Sequence, residues 1–263
     1  MDIEFKDRCM VLWKKYFKGA ELPMIFYYTD KDMRGKLVKA PTTGHQCFIG
    51  VLNKVRNGQI LRFGSESFGC SGAERYLGFT KEITRPNFEY FLSYGIEGVV
   101  EGERYKKSPE IVRAVVKNSP RFTAPSKYIV FCRWDMLEQT DEPEVVVFFA
   151  QADVLSGLFT LTGFEETENE SVISPFAAGC GSIVLYPYLE IDRNHPRGIL
   201  GMFDVSARPF VPKNTLSFSV PMKKFKQMVD DMEESFLITQ SWAKVNRRIK
   251  GTLKEMNHTI QKR

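Results

Sequence analysis

The sequence predicts an α+β (or α/β) protein, with a mixed β-sheet flanked by helices and a helical C-terminus. Three observations lead there. Residues 128–132 and 144–150 are near-continuous apolar runs rich in Val and Phe, the mark of strands covered on both faces. Residues 3–18 and 221–236 instead repeat apolar side chains at helical spacing. Between these lie short apolar runs separated by Gly, Pro and Asn, so strands and helices alternate along the chain.

Taken in order, Ile3, Phe5, Cys9, Leu12, Trp13, Tyr16 and Phe17 form one face of a first helix, stopped by Gly19. Residues 23–28 follow as a short aromatic strand, and residues 30–43 as a polar loop. A second helix is predicted from Thr43 to about Arg56, then a turn at Asn57-Gly58 and a strand over 59–63. Residues 88–94 and 108–118 read as helices, the latter with Ser108 as N-cap and Pro109 in the first turn. The basic run Arg104-Tyr105-Lys106-Lys107 between them reads as a solvated loop. Residues 151–163 are helical up to Gly163, and an acidic loop occupies 165–170. Ser174-Pro175 looks like a helix start. Residues 198–204 read as a strand, and 216–220 alternate as a half-exposed one. Residues 1–238 are thus expected to form one compact unit. Residues 239–263 are expected to form a basic amphipathic helix, with the stripe Trp242, Val245, Ile249, Leu253, Met256 and Ile260, that docks on the body or on a second copy.

The composition is that of an ordinary globular chain, with 43% hydrophobic and 26% charged residues among 263. No run reaches the ~18 apolar residues of a membrane span, and the charged N-terminus lacks the apolar core of a secretory signal. Five widely spaced cysteines, an odd number, argue for free thiols in a reducing cytoplasm. A net charge of +5 is too mild to imply nucleic acid. Dinucleotide, Walker, zinc-protease and lipase-type motifs are all missing.

The chemistry centres on Gly69-Cys70-Ser71-Gly72-Ala73, a thiol among small residues where a loop becomes a helix. Free amides and a positive dipole end there favour thiolate and bound anions. Gly179-Cys180-Gly181-Ser182 is a similar stretch, as a duplicated half-domain would produce, and Cys47 lies at the start of the predicted second helix. Cys47, Cys70 and Cys180 are therefore expected to line one pocket for a metal ion, an iron–sulfur cluster or a small anionic ligand. Ser71, Gly72, Ala73, Gly181 and Ser182 would offer backbone amides to an anion, joined by Asp204 and Arg208. Two alternatives stand beside this. One is a thiol enzyme with Cys70 as nucleophile and His45 as base. The other is an interaction module acting through the C-terminal helix, with homo-oligomers as the result.

On Cys47, the stretch Gly69–Phe79, Phe176–Ser182, Gly201–Arg208 and the helix start at Ser219-Val220-Pro221, the chain resembles the uncharacterised prokaryotic family catalogued as domain of unknown function 169, over about residues 5–238. The family pattern at the second cysteine is Cys-Pro-Gly-Gly, where this chain has Cys70-Ser71-Gly72-Ala73. The resemblance implies a shared fold and the same three cysteine positions, and no activity.

Overall fold

The computed structural model describes residues 1–249. Its helices are α1 (Ile3–Tyr16), α2 (Phe48–Arg56), α3 (Ser71–Tyr76), α4 (Phe88–Phe91), α5 (Pro109–Asn118), α6 (Ala152–Thr162), α7 (Tyr186–Leu189), α8 (Met222–Asp231) and α9 (Gln240–Asn246). A π-helical turn, Gly181–Leu185, runs directly into α7. The strands are β1 (Met24–Thr29), β2 (Lys36–Leu37), β3 (Leu61–Phe63), β4 (Tyr128–Arg133), β5 (Val145–Ala150), β6 (Val172–Ile173), β7 (Gly198–Gly201) and β8 (Leu216–Pro221).

They form one mixed sheet in the order β2-β3-β4-β1-β5-β8-β7-β6. Its two halves are related. Counting outward from the centre, one side runs β1, β4, β3, β2 and the other β5, β8, β7, β6. Pairing directions repeat as well: β1–β4, β3–β4, β5–β8 and β7–β8 are antiparallel, while the outermost pairs β2–β3 and β6–β7 are parallel. The fold is thus a pseudo-two-fold duplication of a four-stranded unit, joined by antiparallel β1 and β5.

Side chains alternate across the central strands, and both faces are covered. One face takes Ile25, Val130, Val146, Phe148 and Phe218 and packs under α1, α6, α8 and α9. The other takes Phe26, Phe63, Phe131 and Val147 and packs under α2, α3 and the Gly181–Leu185 turn. This second layer carries the candidate site.

Several elements differ from expectation. The second helix begins at Phe48, with Cys47 as its N-cap, since Thr43–Gln46 remain loop. The helix expected at Ser174-Pro175 forms only from Gly179; residues 174–178 are irregular. β8 is buried on both faces; Ser217 and Ser219 are wholly inaccessible. Their alternation with Leu216, Phe218 and Val220 mimics a wet face. Small serines there allow close cover: a Cβ on Gly201 would stand 2.9 Å from Ser217 Oγ. Within residues 239–249 the C-terminal stripe docks on the body. Trp242 is buried, donates its Nε1–H to the Tyr16 carbonyl and meets Phe17 edge-on. Leu253, Met256, His258 and Ile260 lie outside the described residues.

The acidic loop is not merely solvated. Glu166 pairs with the buried ammonium of Lys224 at 2.6 Å, and Glu165 accepts from Gln227. Desolvation first, then the neighbouring Glu165, raises the Asp231 carboxyl from 3.8 to about 6. The folded chain therefore holds this proton more tightly than the unfolded chain. That contribution is full below pH ~4 and is lost as pH rises through 6. Asp231→Asn should flatten the stability profile between these values. At pH 7 it should stabilise by about 1 kcal/mol, a figure already reduced for solvent screening; chemical denaturation across pH checks both.

Candidate functional site

Each of the three predicted cysteines stands at the start of a helical segment, in the N-cap position rather than as a side-chain cap. Cys47 is the N-cap of α2, Cys70 of α3, and Cys180 of the turn leading into α7. Glycine contacts bring these starts together. A Cβ on Gly69 would lie 2.7 Å from Pro41 and 3.1 Å from Gln46, placing the approach to Cys70 against the approach to Cys47. A Cβ on Gly179 would meet Met202 and Ile49, and one on Gly181 would meet the Tyr76 ring. The small residues that mark these stretches in the sequence therefore serve close packing of helix starts. Gly72 is different: only the Cys70 sulfur, at 3.6 Å, lies near its missing Cβ.

The pseudo-two-fold also relates the site residues. Cys47 precedes the helix between β2 and β3, and Cys180 the helix between β6 and β7. Cys70 follows β3, and Asp204 follows β7. Cys180 thus corresponds to Cys47, not to Cys70 as the resemblance of the two local stretches suggested.

The four acidic groups share one electrostatic neighbourhood. Burial raises the Cys47 thiol; the amides of Ile49 and Gly50 oppose this, while Cys70 and Asp204 add to it. Cys180 is pushed well above its ordinary value by burial, then by Cys70, Asp204 and Cys47. Cys47 and Cys70 are half-buried and so nearer to solvent than Cys180. Cys9 and Cys132 are core thiols, each raised to about 12 mainly by desolvation.

The other predicted residues divide. Asp204 is firmly held: it accepts from the Gly179 amide (3.1 Å), the Tyr105 hydroxyl (3.2 Å) and the Ser206 amide and hydroxyl. Tyr105 therefore belongs to the site's frame rather than to a free basic loop, and Lys106 lies over the Phe176 ring. The amides of Gly181 and Ser182 are already bonded to the Ala178 carbonyl, so they offer no anion cradle. Ser182 Oγ donates to the Gly179 carbonyl. Arg208 is likewise committed, donating to the carbonyls of Pro212, Lys213 and Thr215, because its own loop folds back around it. It makes no salt bridge to Asp204 among the described residues. Ser71, Gly72 and Ala73 form the first turn of α3, where helix geometry leaves amides without intrahelical acceptors. His45 sits exposed on the loop before Cys47 and makes no hydrogen bond to Cys70 among the described residues. The nucleophile–base pair is therefore not assembled.

Among the described residues, no three His, Cys, Asp or Glu side chains are already drawn into metal-binding geometry. Two clefts lie away from the thiols. One, of about 580 Å³, is bounded by residues 94–104; the other, of about 470 Å³, lies beside the start of α6.

Sequence inspection missed Arg75. It lies on α3, is 8% exposed, and its Nε and Nη2 are buried without a hydrogen-bond partner among the described residues. An arginine in a short polar helix reads as solvent-facing, and no local pattern distinguishes it.

The fold is α+β, with Cys47, Cys70 and Cys180 at helix starts of two related half-sheets and Asp204 bonded to the Gly179 amide. The model of the DUF169 family, described as uncharacterised ArCR, matches residues 21–231, and the chain belongs to that family. No curated protein and no solved structure matches it. No helix among the described residues is long and apolar enough to cross a membrane.

Proposed function

We propose that the chain is a binding protein for a thiophilic metal centre, held by Cys47, Cys70 and Cys180. One observation carries this reading: burial, and then the nearby Cys70 and Asp204, make the thiols of Cys47 and Cys180, from distant parts of the chain, costly to ionise. Such a set is costly to charge alone and becomes favourable once a cation is present, because ligation removes the protons. Thiolates select soft ions and iron–sulfur clusters. Five free cysteines also fit a reducing cytoplasmic setting.

The test is anaerobic reconstitution with ferrous iron and sulfide. The expected result is a brown protein with bound iron and sulfide. Cys47→Ser, Cys70→Ser and Cys180→Ser should each lose most of the colour, and Cys132→Ser should keep it. Equal iron in a variant lacking all three thiols would overturn the reading.

A further inference from the structure

We propose that Arg75 is the anchor of a second binding site, one that takes the carboxylate of a small organic acid. The argument starts from how this protein uses arginine. In five arginines the side-on edge formed by Nε and Nη2 grips a carboxylate: Arg34 on Asp141, Arg56 on Glu21, Arg133 on Asp135, Arg197 on Glu190 and Arg248 on Asp153. This edge carries two parallel N–H bonds matched to the spacing of carboxylate oxygens.

In Arg75 that same edge is buried and bonded to nothing among the described residues. Buried guanidinium N–H groups without hydrogen bonds are costly, and the described residues supply no acceptor for these two nitrogens. Arg62 is also buried with unpartnered nitrogens, but these are Nε and one outer nitrogen, Nη1, and its guanidinium lies 4.6 Å from the Tyr128 ring centre. Among the buried arginines of the described residues, Arg75 alone has both Nε and Nη2 buried without a partner.

Its surroundings suit an organic acid. The guanidinium carbon lies 5.7 Å from the Tyr76 ring centre, and the half-buried Tyr186 phenol, raised by burial, is near enough for the Arg75 charge to oppose that rise. Two tyrosines offer apolar ring surface for a carbon skeleton, and a hydroxyl for a second oxygen. A Cβ on Gly181, next to Cys180, would lie 2.9 Å from the Tyr76 ring, so the ring that neighbours Arg75 also packs against the Cys180 turn. The site does not require the thiols to bind metal.

The experiment measures thermal midpoints of the protein, at fixed ionic strength, against acetate, succinate and inorganic phosphate. Binding to the folded chain alone raises the midpoint with concentration. Wild type should gain several degrees, saturably, with acetate or succinate. Arg75→Met should gain none, and Arg75→Lys, a point charge without a fork, should gain much less. Without added acid, Arg75→Met should be at least as stable as wild type, because an unpaired buried charge is removed. Three results would overturn the proposal: equal shifts in wild type and Arg75→Met, a response to phosphate alone, or no response to either acid together with a destabilised Arg75→Met. Cys47→Ser should respond as wild type does, which separates failure here from failure of the metal reading.

Discussion

Glu21→Ala should destabilise the fold by about 3–5 kcal/mol, the largest effect expected of a single polar substitution here. Glu21 precedes β1, and its carboxylate receives both Nε and Nη2 of Arg56 at 2.6 and 2.7 Å. Both side chains are 1% exposed. Arg56 also donates to Asn53 and lies over the Phe149 ring, 4.3 Å from its centre, so it cannot swing out to water without opening the layer under α2. Removing the carboxylate leaves a charge in an apolar layer. Replacing the pair together, Glu21→Leu with Arg56→Met, should cost far less, since neither charge is then stranded. Urea denaturation of the two variants measures the difference. A loss below ~1 kcal/mol for Glu21→Ala would mean that water reaches Arg56.

The second large effect concerns Gly201. A Cβ there would overlap the Cβ and Oγ of Ser182, which sits in the turn that follows Cys180. Gly201 lies in β7 and is held by β8, so the strand cannot retreat. Gly201→Ala should therefore push the Gly181–Leu185 turn off the sheet, at about 3 kcal/mol. It should also displace Cys180 from Cys47 and Cys70, so iron uptake should fall with stability. Adding Ser182→Gly removes the overlapping atoms and should restore much of both. If iron uptake stays unchanged in Gly201→Ala while stability falls, the turn does not position the thiol.

Much of the fold was legible in the sequence, for local reasons. β4 and β5 announce themselves through runs of β-branched and aromatic residues, and α5 through Ser108-Pro109. The thiols could be named because a cysteine among small residues at a helix start is a local pattern. The rest depends on distant partners. Gly181 and Ser182 look like an anion cradle until the Ala178 carbonyl is seen to take both amides and the Tyr76 ring to close against Gly181. Arg208 looks like an anion ligand until its loop closes on it. Ser217 and Ser219 look wet because polarity alone cannot reveal a second covered face. The duplication was hinted at by two cysteine stretches, yet its true correspondence lies in strand order, which no residue spacing encodes.

The outermost strands of the sheet, Lys36–Leu37 and Val172–Ile173, are two residues each. A neighbouring chain seeking to add a strand would find almost no row of free amides and carbonyls to pair with. The long, strongly apolar β1, β4, β5 and β8, which would aggregate readily if left at a border, are shut in the middle. The duplication thus gives a chain rich in sticky segments a sheet that ends itself on both sides.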